Sequence, residues 1–386
     1  MKQVSLKIMT LFLVCILAGL FLTACDGGGG GSDSQGTLST SLTDSSTDEY
    51  QAIYVTIARV DVHHDDDDTW QTVASPNQTY NLLELVNGVR ETLGISSLDT
   101  GHYTQMRLII GETSDDGINI FSVSHPFANY VIDLNGDTHE LKVPSGTNTG
   151  LKVVNGFDIN ENQTTELILD FDALRSVVKA GSSGKYQLKP TVKVLNAVDY
   201  AIAFGTVTEA GATPAVPLEG AFVMAQTADP LNTEVMDQVV IDAGTITDEN
   251  GEYALFLAPG TYNLVATQPG YLPVCSETSL AENSMISIDF ALTADTIAPG
   301  TISGTVTITD AADDQYVTID IRQELDCSGT NQAVTVKSFD IANGGTYSIE
   351  LPEGDYQVVA STYGKDTQSA TVNVVSGATT TNDPTF

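Results

Sequence analysis

Asp170 and Asp172 flank a phenylalanine and are the first residues whose types and spacing could do chemistry. Side chains two positions apart on a strand point to one face, so the two carboxylates lie together, opposite Phe171. Paired carboxylates can hold a cation or act as acid and base. The alternative that we favour is structural. One carboxylate then caps a short helix that starts at Ala173, and the other bonds the backbone or Lys189.

Asp133, Asn135 and Asp137 alternate like the first ligands of a calcium-binding loop. An EF-hand also needs glycine at its sixth position and glutamate at its twelfth. Thr138 and Pro144 stand there, so the EF-hand interpretation is rejected. A calcium site at a sandwich edge, using some of these oxygens, stays open beside a plain hairpin turn at Asn135 and its following glycine.

His63 and His64 precede the acidic run Asp65–Asp68 and form the richest potential metal patch. Neighbouring side chains on a strand point to opposite faces, so we expect a solvated loop rather than a weak chelating one. Asp99-Thr100-Gly101 contains the tripeptide of aspartic proteases, but it occurs once and that chemistry needs two carboxylates. Serine-hydrolase, zincin and nucleotide-loop motifs are also missing from the sequence, so we expect no enzyme.

The N-terminal region has the layout of an export signal. Two lysines precede an apolar run, Ile8–Ala24, that is slightly short for a membrane-spanning helix. The residues Leu22-Thr23-Ala24-Cys25 resemble the bacterial lipobox. The resemblance implies that residues 1–24 are a cleaved signal peptide and that Cys25 carries the anchoring lipid. A plain signal peptide and a membrane anchor are the alternatives. Residues 25–35, rich in glycine, then form a flexible tether.

The charge of the chain limits its partners. It has 15 Lys and Arg against 50 Asp and Glu, a net charge of −35. This charge repels nucleic acid and anionic membrane surfaces, so we expect no nucleic-acid partner and membrane contact only through the lipid on Cys25. Trp70 is the single tryptophan and the one weak candidate for stacking on a sugar. The alternative is that Trp70 is a core residue.

Short alternating apolar runs bounded by Gly, Pro, Asn and Asp are typical of β-sandwiches. Two short helices are expected, over residues 82–93 and 173–179. A glycine–tyrosine pattern that starts at Gly251 recurs at Gly345, 94 positions later, a period of one small sandwich per repeat. We therefore predict an all-β chain with three tandem β-sandwich domains, over residues 36–196, 204–294 and 301–386.

Cys275 and Cys327 form an even pair beyond the predicted lipidation site. In an oxidising compartment such a pair can form a disulfide. The two cysteines fall in different predicted domains, so the bond would join the last two sandwiches, and two free thiols are the alternative. The sequence holds no Cys-x-x-Cys, which excludes a zinc ribbon and a thioredoxin-type site.

The segments Thr247–Tyr253 and Leu257–Tyr262 carry a resemblance to a known family. They resemble the carboxypeptidase regulatory-like domain over residues 204–294, and more loosely over 301–386, where the turn becomes Ala342–Gly345. The resemblance implies a seven-stranded, transthyretin-like sandwich related to carbohydrate-binding folds, with a structural or adhesive role.

A second resemblance covers residues 36–196 and is carried by several pieces in order along the chain. They are Leu42-Thr43-Asp44, Val60–His63, Trp70, Asn81–Leu85, Gly101–Leu108, Pro144–Gly146, Leu169–Asp172 and Leu188–Pro190. The region resembles the bacterial lipoprotein domain of unknown function 4382. That resemblance implies no activity.

We therefore expect a lipid-anchored, non-catalytic cell-envelope protein that binds a carbohydrate or a protein partner. The first alternative is a structural spacer or scaffold, and an enzyme of unknown type is the second. Asp26 follows the lipidated Cys25, a placement that retains lipoproteins at the inner membrane of enteric bacteria. We favour the outer membrane narrowly, because that rule does not hold in all bacteria.

Overall fold

The computed structural model describes residues 34–45, 47, 49–65, 70–143, 151–153, 156–180, 185–196, 200–311 and 315–386. The predicted signal segment, Cys25, the tether up to residue 33, Asp66–Asp68 and Pro144–Gly146 lie outside these residues. Strands dominate the described chain, so the prediction of an all-β fold is confirmed. No helix in this part of the chain is long and apolar enough to cross a membrane.

The first sandwich places two sheets face to face. Its strands are β1 (Gln35–Ser45), β2 (Tyr50–His64), β3 (Trp70–Ala74), β4 (Gln78–Asn81), β5 (Glu91–Asp99), β6 (Gly101–Ile110), β7 (Tyr130–Asp133), β8 (Thr138–Lys142), β9 (Leu151–Val153), β10 (Phe157–Ile159), β11 (Thr164–Asp172), β12 (Val177–Ala180), β13 (Lys185–Leu188) and β14 (Val192–Asn196). One sheet is ordered β14-β11-β1-β5, with β1 and β11 parallel. In the other, β2 pairs antiparallel with β3, β4, β6 and β7. Leu42, Val55, Leu108 and Phe171 belong to the core between them.

The two predicted helices are shorter than expected. The segment 82–93 contains only a 3-10 turn, η1 (Leu82–Glu84), and then enters β5. Asn87 and Gly88 adopt left-handed backbone angles with φ of 57° and 80°, which a continuing helix does not allow. The second helix, α1 (Ala173–Ser176), is a single turn that leads directly into β12.

The second and third sandwiches share one topology. The second contains β15 (Ala201–Glu209), β16 (Phe222–Ala228), η2 (Val235–Gln238), β17 (Val239–Ile246), β18 (Glu252–Leu257), β19 (Gly260–Thr267), β20 (Val274–Leu280), β21 (Met285–Ser287) and β22 (Phe290–Leu292). The third contains β23 (Gly300–Thr305), β24 (Tyr316–Cys327), β25 (Thr330–Ala342), β26 (Thr346–Leu351), β27 (Gly354–Ser361), β28 (Gln368–Val374) and β29 (Thr379–Thr381). The orders β17-β16-β19-β20 and β18-β15-β21 in the second recur as β25-β24-β27-β28 and β26-β23-β29 in the third.

A disulfide and buried polar contacts join the second sandwich to the third. Cys275 and Cys327 are bonded, with Cα atoms 4.7 Å apart, a spacing that a disulfide spans without backbone movement. The buried Gln226 amide exchanges two hydrogen bonds, of 2.6 and 2.8 Å, with the backbone of Thr335. Arg322 is 1% exposed and donates to three backbone carbonyls at and just after η2, over 2.7–3.2 Å. These contacts fix the two sandwiches relative to each other.

The first sandwich contacts both of the others. The Asn87 side chain donates to the carbonyl of Ile246 at 2.6 Å, and the Lys193 ammonium donates to the carbonyl of Asp242. Towards the third sandwich, β12 pairs with β25 at Lys179. The three sandwiches therefore pack as one unit, Ser34–Phe386, rather than as separate domains on linkers.

Candidate functional site

Trp70 lies on the outer face of the sheet around β2 and is partly exposed. The Arg107 guanidinium covers one face of its ring, with the guanidinium carbon 4.2 Å from the ring centroid. His63 meets the ring edge-on at 5.4 Å. Trp70 is therefore neither a core residue nor an open aromatic platform.

A fixed polar network supports this surface. Asp61 is 1% exposed and accepts hydrogen bonds from Arg59, Arg107 and Thr72 at 3.2, 2.9 and 2.7 Å. Burial raises the pKa of Asp61, but the bonds from Thr72 and the two arginines outweigh it, so the pKa is lowered. Because the carboxylate stays charged, Arg107 is held over Trp70 at neutral pH.

His63 and His64 do not converge. His63 lies beside Trp70, whereas His64 packs edge-on against Tyr103 at 4.8 Å. Of the acidic run behind them, only Asp65 falls within the described chain. Among the described residues, no group of three or more His, Cys, Asp or Glu side chains could hold a metal ion.

The Asp133 carboxylate is occupied by its own turn. Its Oδ1 accepts the backbone N–H of Asn135 and of Asp137, both at 2.9 Å. Its Oδ2 bonds Nε2 of His139 at 3.0 Å, and this bond is the main reason that the pKa of Asp133 is lowered. Gly136, with φ of 86°, completes the hairpin turn. The Asp133 carboxylate is therefore used by its own turn, to which Asn135 and Asp137 contribute backbone N–H groups.

Asp172 acts as a helix cap. Its Oδ1 accepts the backbone N–H of Arg175 at 3.1 Å, at the first turn of α1. Asp44, on the parallel strand β1, accepts the N–H of Ala173 at 3.1 Å. Two carboxylates thus satisfy the free N–H groups at the start of one short helix.

Asp170 is buried beside Lys193, its neighbour across the β11–β14 pair. Burial and the charge of Asp172 raise the pKa of Asp170 to about 7, and Lys193 opposes the rise. Lys189, the cation that the sequence suggested as a partner, instead lies 4.1 Å over the ring of Tyr316. Lys193, rather than a residue close in sequence, therefore occupies the register beside Asp170.

Asp340 on β25 meets this region from the third sandwich, where β25 contacts α1. Thr318 Oγ1 donates to Asp340 Oδ1 at 2.6 Å. Burial raises the pKa of Asp340 to about 7, against the Thr318 bond and the charge of Arg175, and Asp320 and Asp172 add to the rise. This junction of α1 with β25 could not be predicted from the sequence, because its acids come from distant segments of the chain. With a pKa of about 7, the carboxyls of Asp170 and Asp340 take up protons near neutral pH.

An apolar loop between β6 and β7 is the clearest exposed surface feature. We call residues 118–127 together with Leu134 the apolar loop. Six of its side chains are between 39% and 63% exposed, namely Ile118, Ile120, Phe121, Val123, Phe127 and Leu134. This loop was not predicted from the sequence. Its signal was the apolar cluster Ile118–Val123 between an Asp-Asp-Gly turn and Pro126.

Buried polar groups fix the shape of the loop from below. The Asn119 Oδ1 accepts the N–H of Phe121 at 2.9 Å and of Val123 at 3.3 Å. The Tyr54 hydroxyl accepts the N–H of Ile120 at 2.8 Å, and its ring stacks on Tyr130 at 4.6 Å. The apolar side chains are therefore displayed by an ordered backbone.

Further contacts hold both ends of the loop. Asp115 accepts the N–H of Thr79 at 3.0 Å and of Gly117 at 2.9 Å. His125 Nδ1 lies 2.7 Å from the Tyr130 hydroxyl, and burial lowers the pKa of His125. The neutral imidazole therefore adds no positive charge to this surface at neutral pH.

One groove brings a histidine and a carboxylate together. It has a volume of about 350 Å³, and Nδ1 of His102 lies 2.8 Å from Oδ1 of Asp158 in its wall. The nearby Ser34 hydroxyl bonds Thr100 at 2.6 Å. His102 and Asp158 therefore form an exposed hydrogen-bonded pair, and the Ser34 hydroxyl is bonded to Thr100.

Comparison with known families agrees with both resemblances. Residues 35–190 match the family model described as "Domain of unknown function (DUF4382)". Residues 204–293 match the "Carboxypeptidase regulatory-like domain". The chain thus contains the first domain followed by the second, as the motifs predicted. No curated protein matches the sequence.

Several solved structures resemble the chain weakly. The Bacillus anthracis TIE protein is 14% identical, over 92% of this chain and 50% of its own, with a TM-score of 0.21. The shaft pilin SpaA from Lactobacillus rhamnosus GG is 11% identical, over 48% and 97%, with a TM-score of 0.21. A streptococcal ancillary pilin is 11% identical, over 91% and 99%, with a TM-score of 0.20. The chain spans about half the length of the Bacillus anthracis protein. TM-scores this low carry no argument about function.

Proposed function

We propose that the chain is a lipid-anchored, non-catalytic protein of the cell envelope that acts as a rigid scaffold for a partner. The observation that carries the proposal is the locking of three sandwiches into one unit. Separate domains on linkers would suit a flexible spacer, whereas a unit with fixed internal geometry suits the presentation of a surface. The Cys275–Cys327 bond and the hydrogen bonds of the buried Arg322 hold the second sandwich to the third.

We further infer that residues 301–386 are a second, divergent carboxypeptidase regulatory-like domain. Shared strand pairing supports this, and so do two pairs of buried tyrosines. The hydroxyls of Tyr253 and Tyr347 each donate to a backbone carbonyl 35 residues later, at 2.7 Å. Those of Tyr262 and Tyr356 each donate to the carbonyl four residues earlier, at 2.9 Å. Equivalent bonds at equivalent positions favour a duplicated unit.

Glycan binding is the second candidate function, and Trp70 is the observation that favours it. The indole is partly exposed although Arg107 covers one of its faces, so apolar ring surface lies beside the hydrogen-bond donors of Arg107. The test is a glycan array probed with the mature chain and with Trp70→Ala. A glycan that binds the first and not the second would support this function. Equal binding, or none, would reject it.

The lipid anchor is tested by metabolic labelling. The wild-type chain should incorporate labelled palmitate and fractionate with membranes, and we propose the outer membrane. Cys25→Ala should lose the label and the membrane association. Because Cys275 and Cys327 are bonded to each other, Cys275→Ser with Cys327→Ser is the matched control and should keep the label. Palmitate on the Cys25→Ala chain would reject lipid anchoring at this residue.

The rigid scaffold is tested by small-angle X-ray scattering of the mature chain carrying Cys25→Ala. The scattering curve should match the one calculated from the packed unit Ser34–Phe386. A larger radius of gyration, with three resolved bodies, would show independent domains and reject the scaffold proposal.

A further inference from the structure

We propose that the apolar loop is the docking surface for a protein partner that presents apolar side chains surrounded by lysine and arginine. This inference rests on the proposed function only in that the scaffold must meet a partner in the envelope. It adds the surface and the chemistry of that partner.

The apolar side chains of the apolar loop are exposed to solvent. Ile118 and Val123 are 63% and 58% exposed although the loop backbone is fixed. The loop also touches the neighbouring turn, since a side-chain atom added at Gly136 would lie 3.6 Å from Phe121 Cζ. The turn that carries the exposed Leu134 therefore lies beside Phe121. Contiguous exposed apolar surface on a soluble domain typically marks an interaction site.

Side-chain hydrogen bonds hold the backbone of the apolar loop in place. The loop is held by Asn119, Tyr54 and Asp115 through side-chain bonds to its own backbone. A surface that is already ordered loses little conformational entropy when a partner binds, so more of the contact energy appears as affinity. These bonds keep the apolar side chains on display in the absence of a partner.

The charges in and beside the apolar loop indicate which kind of partner fits it. The sequence has no lysine or arginine between Arg107 and Lys142, whereas Glu112, Asp116 and Asp137 are exposed in or beside the loop. The charged residues that this segment contributes to the rim of the apolar loop are therefore all acidic. Complementarity favours a partner whose rim is basic.

The same rim argues against the other occupants. A second copy of this chain would bring an identical acidic rim, and an anionic lipid surface would also be repelled. Sugars are held by flat aromatic faces together with polar side chains, whereas most of the exposed side chains here are aliphatic. A basic-rimmed protein is the remaining occupant that fits both the apolar centre and the acidic border.

The test uses short synthetic peptides with one apolar centre and three kinds of flank: lysine and arginine, aspartate and glutamate, or serine and glycine. Binding to the mature chain with Cys25→Ala is followed by fluorescence anisotropy at low and high salt. We expect the basic-flanked peptides alone to bind, and more weakly at high salt. Phe121→Ser with Val123→Ser should lower this affinity about tenfold or more. Asp116→Lys should lower it as well.

Leu231→Ser is the matched control, because Leu231 is 90% exposed and lies in the second sandwich. It should leave peptide binding unchanged. Melting curves check that each variant folds, and Val123→Ser alone replaces the double variant if the latter melts early. Basic-flanked binding that survives the loop variants would overturn the inference. Equal binding of acidic-flanked peptides would do the same.

Two further measurements address the rejected occupants. Sedimentation of the wild-type chain detects self-association, and flotation with phosphatidylglycerol vesicles detects lipid binding. If the wild-type chain self-associates or binds the vesicles and the loop variant does not, a second copy or a lipid surface, rather than a basic protein, occupies the apolar loop. Cross-linking in cells separates this inference from the function on which it rests. A partner captured equally by wild type and loop variant contradicts the docking surface and leaves the scaffold proposal standing.

Discussion

Replacing Asp170 or Asp340 by asparagine should stabilise the protein above pH 7 and flatten its dependence on pH. Both carboxyls have a pKa of about 7 in the folded chain, against about 3.9 for an unfolded aspartate. A folded pKa above the unfolded one gives stability that is fully present below about pH 4. That stability is lost as pH rises through about 7.

The magnitude follows from the pKa difference. Each pH unit of difference is worth 1.36 kcal/mol, so a rise from about 3.9 to about 7 corresponds to on the order of 4 kcal/mol per carboxyl. Asp340 is only partly buried by its surface area, so the larger effect should belong to Asp170. Asparagine keeps a similar shape and, at Asp340, an oxygen that can accept the Thr318 bond, but it cannot ionise.

The assay is urea unfolding at intervals from pH 5 to pH 8.5. The wild-type free energy of unfolding should fall over this range, and each asparagine variant should lose up to roughly 2–3 kcal/mol less of it, the part of the difference that lies between pH 5 and pH 7. Asp366→Asn is the control, because Asp366 is exposed and its replacement removes the same charge. If the slopes of the Asp170→Asn and Asp366→Asn variants coincide, general charge repulsion explains the pH dependence and the junction does not.

Three further predictions concern the second and third sandwiches. Cys275→Ser with Cys327→Ser opens a loop of 52 residues and should cost on the order of 4 kcal/mol, seen as a lower melting temperature that reductant no longer changes. An unchanged melting temperature would contradict this. Tyr262→Ala should lower the free energy of unfolding by about 3–5 kcal/mol. Tyr262→Phe should lower it by only about 1 kcal/mol, because it removes only the bond to Ala258. A urea titration that finds Tyr262→Ala fully stable would refute a core role. Arg322→Met leaves three backbone carbonyls without their donor, one of them in a buried bond, and should cost roughly 3 kcal/mol. A neutral result in the same titration would show that water replaces the guanidinium.

The sequence predicted what depends on local pattern. Gly251 and Tyr253 recur at the same spacing as Gly345 and Tyr347. In both copies the tyrosine is buried and its hydroxyl reaches the same kind of backbone carbonyl. A turn glycine and an alternating core residue are set by neighbours in the chain, so a single sequence can reveal them.

The contacts between sandwiches could not be predicted in the same way. Arg322 lies on a strand where an outward polar residue is ordinary, and nothing nearby shows that another sandwich covers it. Asp340 likewise looks like one of many solvated acids. Lys193 occupies the register beside Asp170, and only the pairing of β11 with β14 shows this. Each case depends on residues far apart in sequence, which alternation does not encode.

Rigid packing has a geometric consequence for the proposed docking surface. At the start of β2, Tyr50 pairs with Asp133, next to Leu134 of the apolar loop. At its end, His64 pairs with Tyr103, close to Thr100, which bonds Ser34. The 15 residues of β2 span about 50 Å at roughly 3.3 Å per residue. Ser34 and the turn of the apolar loop therefore lie near opposite ends of β2.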